Sequence, residues 1–159
     1  MRQVCIILLI LLGAEVYSQK NILPDGKFLK KNSLNLELGG YCQLASAHYE
    51  RIVMNGTRFK TSLQAGFGFI GIPVFVNEIF SMGNHHIEAA FGVVLPARIM
   101  RFSGEDPFIS GRLGYRFQKP GGRFLLRAGL MPTVVGADRE LGPEIVLWVW
   151  PGVSFGWAF

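Results

Sequence analysis

The sequence predicts an all-β fold: an antiparallel up-and-down transmembrane β-barrel of eight strands, following a cleaved signal peptide. Three observations predict it. Large apolar residues alternate with small or polar ones along most of the chain, as in strands whose successive side chains point to opposite faces. The face opposite the large residues carries Gly, Ala, Ser, Asn and Gln with an occasional ion, whereas a soluble sheet would place plentiful Lys, Glu and Asp there. An apolar leader marks the chain for export.

Residues 1–18 form the leader. Arg2 precedes the apolar run 4–12, Glu15 closes it, and Val16 and Ser18 occupy the small-residue places of a cleavage site, which puts the cut after Ser18. The run is far shorter than the ~20 residues of a spanning helix. Cutting there removes Arg2 and Glu15 together, so the net charge stays at +5. Cys5 leaves with the leader, and Cys42 remains alone in the mature chain, without an intramolecular disulfide and without an assigned function. A polar segment, 19–32, leads into the barrel domain, 33–159.

The strands follow in order. Leu34, Leu36 and Leu38 oppose Asn35 and Glu37; Phe59, Leu63, Ala65, Phe67 and Phe69 oppose Lys60, Ser62, Gln64, Gly66 and Gly68. Ile87, Ala89, Phe91, Val93 and Leu95 oppose His86, Glu88, Ala90 and Gly92. Leu113, Tyr115 and Phe117 oppose Arg112, Gly114, Arg116 and Gln118, while Phe124, Leu126, Ala128 and Leu130 oppose Arg123, Arg127 and Gly129. Val153, Phe155, Trp157 and Phe159 share the last apolar face. Asn55-Gly56, Gly83-Asn84 and Pro120-Gly121-Gly122 are tight-turn signals between such segments.

The secure segments run over 33–47, 57–69, 72–80, 85–96, 107–118, 123–134 and 148–159. Single-chain bacterial barrels have an even number of strands, so an eighth is expected, either from a break at Gly39-Gly40 or from 141–150. The connections 97–107 and 132–147 are then long loops at the end opposite the tight turns. Tyr49, Phe80, Phe102, Phe108, Trp148 and Trp150 fall near strand ends, where aromatic girdles form.

The basic residues, 16 against 11 acidic, are scattered singly apart from Lys27, Lys30 and Lys31, which argues against a nucleic-acid partner. Glu37, Lys60, Glu88, Arg112, Arg116 and Arg127 fall on the small-residue face. In an eight-stranded barrel the interior is only wide enough for side chains, so these charges are expected to pair across the lumen and plug it. Arg98, Arg101 and Arg139 are candidate contacts for lipopolysaccharide phosphates. Ser46, His48 and Glu50 share a face as nucleophile, base and orienter would. Next-but-one strand residues nevertheless lie about 6.5–7 Å apart, and that spacing argues against a triad. Of His85, His86 and Glu88, only the last two share a face, and two ligands do not make a metal site.

The segment Gly152-Val153-Ser154-Phe155-Gly156-Trp157-Ala158-Phe159 resembles the terminal strand of Gram-negative outer-membrane β-barrels, with Ser154 where that strand often has Gly. The wider chain resembles small outer-membrane barrel proteins of Bacteroidetes type. The matching segments are Leu36-Glu37-Leu38-Gly39-Gly40, Tyr49-Glu50-Arg51, Gly83-Asn84-His85-His86-Ile87-Glu88 and Gly114-Tyr115-Arg116-Phe117. The resemblance implies an outer-membrane location and an assembly signal, Phe155, Trp157 and Phe159, read by the barrel assembly machinery. Outer-membrane lipids and lipopolysaccharide are the expected surroundings of a monomer without cofactor. The function expected is structural or surface-interacting and non-catalytic. The alternatives are a secreted soluble barrel carrying an apolar ligand, and a membrane-embedded lipid-modifying enzyme using Ser46 and His48.

Overall fold

The computed structural model describes residues 26–40, 44–97, 107–139 and 142–159. The leader, Cys42, Arg98, Arg101 and Phe102 lie outside them. Eight strands follow one another: β1 (Asn32–Gly39), β2 (Ala45–Asn55), β3 (Phe59–Gly68), β4 (Gly71–Met82), β5 (His85–Pro96), β6 (Phe108–Gln118), β7 (Phe124–Arg139) and β8 (Gly142–Ala158). Each pairs antiparallel with the next, and β1 pairs with β8 to close the barrel. Leu36, for example, faces Ala47 on β2 and Phe155 on β8. Closure leaves no free sheet edge along the body of the barrel.

The eighth strand comes from the front of the chain. The segment read as 33–47 ends at Gly39, because Gly39 and Gly40 take φ of +73° and +68°, a left-handed region that glycine enters without steric cost. The chain then returns as β2, which runs to Asn55 and includes residues 48–55, left between the segments 33–47 and 57–69. A bulge between Ile52 and Met54 shifts its register against β3.

Of residues 132–147, expected as a loop, those described are strand: β7 continues to Arg139, and β8 begins at Gly142 and takes in 142–150. Pro132 and Pro151 keep their β7–β8 partners, Val149 and Leu130, and the ladder is interrupted only on their other side. β8 pairs with β1 only as far as Gly152, and the β6–β7 ladder is interrupted between Ser110–Thr133 and Leu113–Leu130. A missing amide donor costs little at an unpaired position.

The three short turns, after β2, β4 and β6, share one end of the barrel with residues 26–31 and Phe159. Residues 26–31 cross that mouth. Phe28 N–H donates to Asn55 Oδ1 (3.1 Å), Asn55 Nδ2 donates to Phe28 O (2.8 Å), and Leu29 N–H donates to Pro120 O (2.9 Å). These bonds turn the Phe28 ring into the lumen, where it packs with Ile52 and Ile79. A second apolar cluster, Phe75, Val94 and Met131 with Ile70, Ala90 and Phe108, occupies the other half of the interior.

Candidate functional site: the packed lumen

Strand parity sends the small and polar residues inward. Each charged group among them must replace the water it loses, since a buried ion persists only when paired and hydrogen-bonded. Arg112 pairs with Glu37, and its Nη1 lies 3.2 Å from Glu88 Oε1. Arg116 Nη1 lies 2.8 Å from Glu50 Oε1 and 3.3 Å from Glu88 Oε2. Arg127 pairs with Glu50, and its Nε lies 3.2 Å from Glu88 Oε2. Three carboxylates and three guanidiniums, all buried, thus share one mesh in which Glu50 and Glu88 are the bridging members.

Neutral groups complete the shell. Ser33 Oγ and Ser62 Oγ donate to Glu50 at 3.0 and 2.5 Å, Arg127 Nη1 donates to Gln64 Oε1 at 3.0 Å, and Arg116 Nε donates to Gln118 Oε1 at 2.9 Å. Asn35 and Asn77 donate in turn to Ser33 and Ser62, each at 3.1 Å. The small residues make this possible. A Cβ on Gly66 would collide with the His48 ring and the Ala47 carbonyl, so the absence of a side chain on β3 is what admits His48.

Of the six charges expected in the lumen, Glu37, Glu88, Arg112, Arg116 and Arg127 come together. Lys60 is buried too but stands nearer the turn end. Its Nζ donates to Thr57 O at 3.2 Å and to Ser81 Oγ at 2.5 Å and lies 4.8 Å from the centre of the Phe28 ring. That ring also packs edge-on against His86 at 5.1 Å and lies 5.4 Å from the Arg116 guanidinium, so its π face meets two cations. His86 contacts Ser81 Oγ (3.0 Å) and Gln118 O (2.9 Å), whereas His85 faces outward to Tyr115.

Glu50 and His48 were not counted among the lumen charges. The shared face of Ser46, His48 and Glu50 was legible, but ending the first strand at 47 left that face unassigned; reading β2 to Asn55 would have put it in the lumen. The spacing argument against Ser46 and His48 also needs correction. Their Cα atoms are two residues apart, yet the side chains lean together and Ser46 Oγ lies 2.6 Å from His48 Nε2. Glu37 Oε2 lies 3.0 Å from the same Nε2. A triad needs the base to face nucleophile and carboxylate through different ring nitrogens, and here both contacts fall on one.

The girdle candidates divide. Tyr49 and Phe80 point outward. Phe108 points inward onto the upper apolar cluster. Trp148 and Trp150 stack at 5.8 Å and stand opposite the buried Thr133 and Met131, on the inner side of the β7–β8 hairpin, with Trp148 exposed and Trp150 half-buried. An outward aromatic ring is nevertheless present at the turn end: Phe59 against Phe80 (5.1 Å), His85 against Phe117 (5.6 Å), Tyr115, Phe124 in register with Trp157, and Phe159. Phe155, Trp157 and Phe159 all lie exposed on the closing strand or directly after it. Between the ends the outer face is Leu, Val, Ile and Phe. The chain matches no family model, no curated protein and no solved structure.

Proposed function

We propose that the chain is a small integral β-barrel protein of a Gram-negative outer membrane, non-catalytic, with a closed lumen and a structural or surface-interaction role. One observation carries this reading: Glu, Arg, Lys and His are buried while Leu, Val and Phe cover the outside, the reverse of a soluble barrel. A continuous apolar exterior of this extent is stable against lipid, and a closed barrel satisfies its backbone polar groups there without water. Among the described residues no helix is long and apolar enough to cross a membrane, so strands would make the crossing. The turn-end aromatics supply an interfacial girdle.

The filled interior supports a plug over a pore. The ion mesh lies between the Phe28 and Phe75 clusters, so paired charges and apolar side chains fill the described interior. The surroundings on this reading are outer-membrane lipids and lipopolysaccharide, whose phosphates Arg98 and Arg101, from the connection 97–107, and Arg139, the last residue of β7, would meet. Phe155, Trp157 and Phe159 would present the closing strand of a monomer to the barrel assembly machinery, and the resemblance to small Bacteroidetes-type barrels belongs to the same proposal. Extraction from the outer-membrane fraction should yield a band whose mobility shifts on heating. Recovery in the soluble fraction without detergent, with no heat shift, would overturn the reading and leave the soluble carrier.

The contact between Ser46 and His48 favours a second reading, a lipid-modifying enzyme. Its test is turnover of a phospholipid or lipopolysaccharide substrate that disappears in both Ser46→Ala and His48→Ala.

A further inference from the structure

The outer face of β2 to β5 is not smooth. A groove of about 540 Å³ crosses these four strands. Two adjacent cross-strand rows form it: Tyr49, Ala65, Val74 and Val93 in register, and beside them Arg51, Leu63, Val76 and Phe91. The depression exists because Ala65 is small where its neighbours are large. Its volume falls within the roughly 300–1,000 Å³ of small-ligand sites, and its lining is apolar apart from one end, where Arg51 stands.

Arg51 is the anomaly of this surface. It points outward, exposed, from a row that is otherwise Leu, Val and Phe, and among the described residues it has no ion pair. The outward carboxylate of Glu78, two strands away, is held by Thr61 Oγ1 at 2.9 Å. Asn32, opposite Arg51 on β1, accepts from the Tyr49 hydroxyl at 2.8 Å. Arg51 lies near the turn end of β2, within reach of the level of the aromatic ring, where a long cationic side chain extends to lipid headgroups.

We propose that this groove binds one acyl chain of an anionic glycerophospholipid whose phosphate pairs with Arg51. The proposal rests on the membrane reading above. Lipid tails gain nothing hydrophobic by moving from the bilayer to a protein wall, so selectivity must come from shape and charge. The groove supplies the shape, since an unfilled depression forfeits dispersion contacts that a chain lying in it recovers. Arg51 supplies the charge and the direction, headgroup toward the turn end and tail across β3 and β4 toward Phe91.

The test is native mass spectrometry of the detergent-purified barrel incubated with phosphatidylglycerol or with phosphatidylcholine of identical chains, alongside the heat-shift assay. One retained phosphatidylglycerol is expected, favoured about fivefold over phosphatidylcholine. Arg51→Gln should remove the preference, and Ala65→Phe, which fills the floor, should remove the retained lipid of either kind while the heat shift persists. Equal retention of both lipids, unchanged by either substitution in a heat-shifting barrel, would mean ordinary annular lipid and would overturn the site but not the membrane reading. A detergent-free soluble protein without a heat shift would overturn both.

Discussion

The two faces of β3 make the sharpest contrast in the molecule. On one side Phe59, Leu63 and Phe67 stand 66%, 50% and 47% exposed, and on the other Lys60, Ser62 and Gln64 are at most 2% exposed. A polar side chain is kept inside here by partners, and an apolar one is kept outside by the solvent it meets. The interior therefore depends on specific pairing, while on the membrane reading the exterior depends only on being apolar. Substitutions on the two faces should differ in kind as well as in size.

The largest effect is expected inside. Glu50→Ala leaves Arg116 and Arg127 short of the carboxylate that bridges them, and removing one partner of a buried ion pair costs about 3–5 kcal/mol. Urea unfolding of the refolded barrel measures it. A loss below about 1 kcal/mol, no more than an exposed pair is worth, would mean that the mesh does not hold the barrel together.

The exterior sharpens the comparison through depth. Leu113, 64% exposed at the middle of β6, should cost about 2–4 kcal/mol when replaced by Arg in a lipid-embedded barrel, while Met82→Arg at the turn-side end of β4 should cost about 0–1 kcal/mol. A water-exposed barrel would tolerate both within about 0.5 kcal/mol. Equal, near-zero costs in the same unfolding assay would place water outside.

Ser46→Ala comes last. It removes one hydroxyl contact to His48 at the edge of the mesh, and the expected loss is about 0.5–1.5 kcal/mol without change in heat shift. A much larger loss would move Ser46 from the edge of the mesh to its centre.

Where the chain alternates strictly, the sequence was a reliable guide. β5 has the bounds read from its alternation, and β6 and the face of β8 shared by Val153, Phe155 and Trp157 follow closely. Errors fell where a local signal was ambiguous. Gly39-Gly40 was one of two places offered for the break that yields an eighth strand, and pairing of β2 with both β1 and β3 selects it over 141–150. The stretch 135–147 read as loop between the segments 123–134 and 148–159, and only the pairing of β7 with β8, Pro143 opposite Asp138 included, makes its described residues strand. Trp148 and Trp150 were read as girdle residues by type; their register with Thr133 and Met131 puts them on the inner side of the β7–β8 hairpin, where Trp148 is still exposed.

Which residues share a face was determined by the sequence alone, because side-chain alternation is a property of the extended backbone and needs no partner. That parity already separated the charged lumen from the apolar exterior. Which charge meets which was decided by the tertiary structure. Glu37 and Arg112 are 75 positions apart, and Glu50 and Arg127 are 77 apart. They meet only because β1 closes against β8 and carries distant strands across one narrow lumen. The same closure lets residues 26–31, strand-free in sequence, place Phe28 in the mouth. Local chemistry chooses the side of the wall; register and closure choose the neighbours.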